Sequence, residues 1–142
     1  MYEYGCQVTR VVDGDTIDVD LDLGFNIHHK CRVRLYGIDT PESRTRNLDE
    51  KARGKLASKF LEKSISEGKE VLIRTELKDS KGKFGRVLGT VVVDGIDVNN
   101  QMVMNHLAVR YTGQSKKHIQ IQHQKNRESL IQLGIYKPVD NE

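Results

Sequence analysis

Arg34-Leu35-Tyr36-Gly37-Ile38-Asp39-Thr40-Pro41-Glu42 sets an arginine and two carboxylates close together in the chain. Asp13-Gly14-Asp15-Thr16 lies upstream of it and Lys83-Phe84-Gly85-Arg86 downstream. Carboxylates such as Asp15, Asp39 and Glu42 hold hard divalent cations through oxygen. Arginines such as Arg34 and Arg86 clamp a phosphate whose charge rises in the transition state. Hydrolysis of a phosphodiester needs both, so the expected chemistry is that of a metal-dependent nuclease.

These residues must be brought together by strands and turns. From Gln7 to Val12 the chain reads as a strand broken by the Asp13-Gly14 turn. Ile17, Val19, Leu21 and Leu23 alternate with Asp18, Asp20 and Asp22, the period of a strand with one buried face. Gly24 to Asn26 reads as a hairpin turn, and Cys31, Val33 and Leu35 alternate with Lys30, Arg32 and Arg34 on the return. Pro41 excludes a central strand, so the strand is expected to end near Asp39, leaving Thr40 and Glu42 in a loop. A helix is predicted from about Asp49 to Gly68, with Ala52, Leu56, Phe60 and Leu61 inward.

Val71–Leu77 and Val87–Val93 read as two more strands around a Lys- and Gly-rich loop, 78–85. Asp94-Gly95 is a turn, and Asn99 or Asn100 is expected to cap a short helix ending near Leu107. A last, polar helix spans about Lys116 to Leu133 and closes at Gly134. The fold class is therefore α+β: a five-stranded barrel of the oligonucleotide-binding type packed with about three helices.

At 142 residues, 1–142 forms a single domain with room for a core. A hydrophobic fraction of 37% and a charged fraction of 30% are those of an ordinary globular protein. No apolar run approaches the ~18 residues of a membrane span, so no membrane partner is expected. The start, Met1-Tyr2-Glu3-Tyr4, lacks the basic and apolar parts of a secretory signal. The expectation is a cytosolic protein or a secreted one already processed, acting as a monomer. Net charge is +3, and Lys78, Lys81, Lys83 and Arg86 in one segment and Arg44, Arg46, Lys51, Arg53 and Lys55 in another flank the carboxylates. Such clusters are commonly solvated surface, but here they also suit a polyanion. Cys6 and Cys31 stand outside any CxxC pattern and are expected to be free thiols.

Taken singly, Asp13-Gly14-Asp15-Thr16 is a turn with capping aspartates, and Asp39-Thr40-Pro41-Glu42 passes for a helix entry. Their joint occurrence argues for chemistry, because a turn needs no arginine five residues before Asp39. The order Asp-Gly-Asp-Thr, Arg-Leu-x-x-x-Asp-Thr-Pro-Glu and Lys-Phe-Gly-Arg resembles the staphylococcal nuclease (thermonuclease) family, as does the closing Leu133-Gly134-Ile135-Tyr136. The likeness runs from about Val8 to Tyr136.

The resemblance implies a Ca²⁺-dependent enzyme that cleaves DNA and RNA and leaves 3′-phosphates, on a five-stranded oligonucleotide-binding barrel with three helices. Mg²⁺ or another divalent ion is the second choice. Asp15 and Asp39 would match the family's metal carboxylates, and Thr40 would add its carbonyl. Glu42 would match the general base, Arg34 and Arg86 the arginines on the scissile phosphate, and Lys83, Phe84 and Tyr111 the substrate-binding positions. Phe84 replaces a common tyrosine, which removes a phosphate hydrogen bond and keeps a stacking face. Tyr111 stands without its usual companion in Val109-Arg110-Tyr111-Thr112, and a core aromatic near a helix end is an equal alternative for it.

His28 and His29 are adjacent on a strand and point to opposite faces, so they chelate poorly together. His29 with Cys31 gives two ligands, too few for zinc, and His118 and His123 are five apart, so surface or core roles are expected. The competing reading is a non-catalytic nucleic-acid-binding module of the same fold, against which Asp15, Arg34, Asp39, Glu42 and Arg86 together argue.

Overall fold

In a computed structural model, residues 2–75 and 87–140 are described. Alternation at positions 17, 19 and 21 builds β2 (Thr16–Asp22), which pairs antiparallel with β1 (Glu3–Asp13) and β3 (His28–Leu35). β5 (Val71–Thr75) pairs with β1 and with β6 (Val87–Val93), both antiparallel. A parallel pairing of β3 with β6, Val33 opposite Val87 through Leu35 opposite Gly89, closes the ring into a five-stranded barrel. Ile17, Val33, Ile73 and Val91 fill it with no exposed surface, each worth about 1.5–3 kcal/mol of apolar burial. Register shifts in β1 between Val8 and Arg10 and between Val11 and Asp13 bend that strand around the barrel.

The short β4 (Ile38–Asp39) and β8 (Val109–Arg110) form a separate ribbon, and β7 (Ile96–Asp97) extends the main sheet. β7 and β8 are not legible as strands in the sequence, and the return strand expected to end near Asp39 stops at Leu35, leaving Ile38–Asp39 in the separate ribbon. β2 stops at Asp22, so Leu23, expected inside, is 41% exposed. Gly24, Phe25 and Asn26 turn the hairpin with positive φ, and Phe25 is fully in solvent.

Three helices pack on the barrel: α1 (Leu48–Ser66), α2 (Val98–Met104) and α3 (Lys116–Gln132). The Asn47 side chain accepts from the Glu50 amide and caps α1, with Asp49 and Glu50 suited to the positive end of its dipole. The buried stripe of α1 is Gly54, Ala57 and Leu61. Ala52, Leu56 and Phe60, expected inward, are only half-buried and flank it. Ser115 caps α3, which lies across the surface as expected and buries only Leu130.

α2 corrects the cap expected at Asn99 or Asn100: Asp97 caps it by accepting from the Asn100 amide at 2.8 Å. The helix also ends three residues before Leu107. Asn99 is instead buried, accepting from Val91 N at 3.1 Å and donating to the carbonyls of Tyr36 and Gly89 at 3.0 and 3.2 Å. It thereby fixes the chain after Arg34 to β6.

Gly54 decides how α1 meets the loop after Asp39. A Cβ there would lie 2.7 Å from Pro41 O and 2.8 Å from the Glu42 carbonyl, backbone atoms that yield only by moving. Alanine normally favours a helix by up to ~1 kcal/mol over glycine, but overpacking costs ~1–3 kcal/mol. Gly54→Ala is therefore expected to lower the melting temperature by several degrees and to displace Glu42. A melting temperature equal to or above wild type would show that the helix does not press on this loop.

Candidate active site

The site is assembled at one end of the barrel. Asp15 lies in the turn between β1 and β2, Arg34 stands near the end of β3, and Asp39 ends β4. A Cβ on Gly14 would meet Ala57 Cβ at 2.7 Å, so that turn is seated directly on α1. The Leu35 amide donates to Asp15 O at 2.8 Å, locking β3 to the turn. The Thr40 amide donates to Asp15 Oδ2 at 3.3 Å.

Arg34 lies between two carboxylates. Its Nη2 is 3.3 Å from Asp15 Oδ2 and 3.7 Å from Asp39 Oδ1. Its Nη1 donates to Leu35 O at 3.1 Å. Fork geometry rather than charge alone permits these contacts at once.

Negative charge exceeds what this arginine neutralises. Burial and its neighbour Asp15 push the Asp13 carboxyl up to about 7. Asp15 is itself buried, which resists ionisation, but Asp13, Arg34 and the Thr40 amide together hold it below the ordinary carboxylate range. Glu42 is raised, first by partial burial and then by the charges of Asp15, Asp39 and Glu50. Its amide donates to Glu50 Oε2 at 3.1 Å, holding the loop to α1.

The structure thus brings together Asp15, Arg34, Asp39 and Thr40, with Glu42 in their electrostatic reach. Tyr111 is no core aromatic: it is 49% exposed, and its amide donates to Gly37 O at 2.8 Å. Lys83, Phe84 and Arg86 lie outside the described residues. Sequence reasoning missed Asp13 as a partner of Asp15, though its place two residues away was the available signal.

It also missed His123. His118 is a surface residue, but His123 Nε2 sits 2.7 Å from Asp39 Oδ2 across 84 residues of sequence. The ring is half-buried, so neither a surface nor a core label describes it. No spacing within α3 announces this contact.

Among the described residues no group of three or more His, Cys, Asp or Glu side chains is arranged to hold a metal ion. Asp15 and Asp39 are two oxygen donors facing one cationic group, with the Glu42 carboxyl in their electrostatic reach. This donor chemistry fits a hard cation that draws its other ligands from carbonyls and water.

A family model described as staphylococcal nuclease homologue matches residues 32–135, which include Arg34, Asp39, Thr40 and Glu42. The chain belongs to the staphylococcal nuclease family. Within it, the chain is 33% identical over 133 residues to a thermonuclease of Staphylococcus intermedius, covering 92% of this chain and 74% of that protein. It is 38% identical over 96 residues to an uncharacterized protein of Bacillus anthracis, covering 68% of this chain and 42% of that one. It is 35% identical over 117 residues to endonuclease YhcR of Bacillus subtilis, covering 77% of this chain and 9% of that protein. The chain thus spans most of one staphylococcal nuclease relative but less than half of the other two. Among the described residues no helix is long and apolar enough to cross a membrane.

Proposed function

We propose that this chain is a Ca²⁺-dependent nuclease that hydrolyses phosphodiester bonds of DNA and RNA by water attack, leaving 3′-phosphates. The observation that carries the reading is the convergence of Asp15, Arg34 and Asp39 from three separate elements within about one side-chain's reach, in a member of a nuclease family. A structural ion pair would need one carboxylate for one arginine. Here negative charge accumulates, a costly arrangement unless a cation and a phosphate enter.

Asp15 and Asp39 would hold the cation, with Thr40 contributing its carbonyl; when bound, such an ion offsets phosphate charge and acidifies or positions water. Arg34 would then exchange its carboxylate contacts for two parallel donors on the phosphate, which strengthen as charge builds on the equatorial oxygens. Arg86 would supply the second fork. Glu42 accepts the proton of the attacking water, directly or through one bridging water. Its upward shift toward neutrality suits a base that must be ionised yet still basic. Because the ionised form acts, activity falls as pH drops through the raised Glu42 value, and this acidic limb should lie above that of an unperturbed glutamate.

Cleavage of single- and double-stranded DNA with Ca²⁺, with Mg²⁺ and with chelator, beside Glu42→Gln, tests the reading. Cleavage requiring Ca²⁺ and falling about 10²–10⁴-fold in the variant is expected. Intact DNA under every ion with binding retained would make the chain a non-catalytic binding module instead.

A further inference from the structure

The wall that carries Arg34 continues past the reacting centre. Val33 and Leu35 face the barrel interior, which turns Arg34 outward, opposite Leu88 on β6. Ile73 and Val91 likewise face inward, leaving Arg74 and Thr90 paired on the outer face. Leu88 and Thr90 are two residues apart on one strand face, about 7 Å. At Thr90 this face opens into a cleft of about 280 Å³ between β6 and the β4–β8 ribbon.

Tyr36, Arg74, Thr90, Asn100 and Arg110 line this cleft. Tyr36 is 47% exposed although it is a large aromatic. Among the described residues Arg74 is held by one oxygen of Glu3 at 3.4 Å, a surface contact worth little. Arg110 donates through Nη2 to Asn100 Oδ1, which among the described residues leaves most of its five N–H groups uncommitted. Asp97 is the one carboxylate among the described lining residues, and its Oδ1 already caps α2. The cleft is therefore cationic, hydroxyl- and amide-lined, and floored by an available aromatic face.

We infer that this cleft binds the nucleotide one step beyond the scissile linkage. Arg74 and Arg110 pair with its phosphate and Tyr36 stacks on its base. The inference rests on the nuclease reading above and adds to it a second contact point on the same strand. The strand must be unpaired here, because only an unstacked base reaches the face of Tyr36. The ~7 Å step along β6 connects the two positions without the strand leaving the protein surface.

The test uses the Glu42→Gln background, in which substrate survives. Fluorescein-labelled TpT, whose single phosphate is the scissile one, and a thymidylate octamer are titrated with Ca²⁺ present and followed by anisotropy. Arg74→Ala/Arg110→Ala is expected to weaken octamer binding about tenfold or more, the loss of a charge-assisted hydrogen bond. TpT affinity should stay within about twofold, and the octamer's dependence on log salt should flatten by about 0.7 for each phosphate that the variant no longer neutralises.

Unchanged octamer affinity, or equal losses on TpT and octamer, would overturn the inference. If the double variant melts below wild type, Arg110→Gln alone reads the same length dependence. Wild-type cleavage of the octamer, run alongside, separates the two failures. Cleavage with an indifferent double variant defeats the cleft alone. An octamer neither cut nor bound defeats the nuclease reading with it. Binding that the double variant weakens, without cleavage, keeps the cleft and defeats the catalytic reading.

Discussion

Arg34→Lys is expected to reduce cleavage by about 10²-fold or more while keeping the net charge of the site. The guanidinium reaches Asp15 Oδ2, Asp39 Oδ1 and Leu35 O from two nitrogens that diverge in one plane. A lysine ammonium is a single point on a flexible stem. It can approach one carboxylate or the other, and it cannot present two parallel donors to a phosphate. The deficit should appear chiefly in kcat, since the fork tightens as charge develops on the equatorial oxygens. Steady-state cleavage of DNA, with a thermal melt to confirm the fold, measures it. Cleavage near wild-type rate would remove Arg34 from the reaction and leave it as the partner of two aspartates.

The second large effect concerns stability. Asp49, buried in the first turn of α1, binds Arg127 Nε through Oδ2 at 2.7 Å and lies 3.5 Å from Arg53 Nε. Its Oδ1 accepts from the Tyr136 hydroxyl and from the Val139 amide. One carboxylate thus joins α1, α3 and the segment after α3. Asp49→Ala would strand two arginines, leaving the Tyr136 hydroxyl only the carbonyl of residue 49 at 3.2 Å, and breaking such a network costs about 3–5 kcal/mol. Urea denaturation should show that loss, and a change below about 1 kcal/mol would mean that the three segments hold together without Asp49.

The same carboxylate makes stability depend on pH. Burial opposes its ionisation, but Arg127, Tyr136 and Val139 prevail and bring it from 3.8 to about 2. A carboxylate depressed in the folded state stabilises fully above its unfolded value, and the contribution disappears as pH falls through the folded value. Asp49 should therefore supply about 2 kcal/mol at neutral pH, fading between about pH 4 and pH 2. In the Asp49→Ala variant that part of the acid-unfolding curve should flatten.

Most of the barrel was legible because strands and helices write their buried faces into local periodicity. The alternation through Ile17, Val19 and Leu21 and the return through Val33 and Leu35 are each decided within a few residues of chain. The turn at Asp94-Gly95, with φ of 50° and 83°, is equally local, since aspartate and glycine tolerate a conformation most residues avoid. The three motifs in order pointed to the right family for a related reason: residues that act on one phosphate must be of particular types, whatever the fold around them.

The short strands β7 and β8 were not legible, since two residues carry no period, and the break that sets Ile38–Asp39 apart from β3 left no local mark. The helix cap was assigned to Asn99 or Asn100 because asparagine suits caps, whereas Asn99 is consumed by Val91, Tyr36 and Gly89 in the interior. Composition and spacing thus specified the element types, the turn chemistry and the candidate reacting groups. Only the closed barrel decided that Arg34 lies between Asp15 and Asp39, that His123 reaches Asp39 from α3, and that Asp49 is an anchor rather than a helix-start charge. Those contacts join residues far apart in the chain, and their geometry follows from the parallel closure of β3 on β6 and the seating of α1 and α3, which no local pattern records.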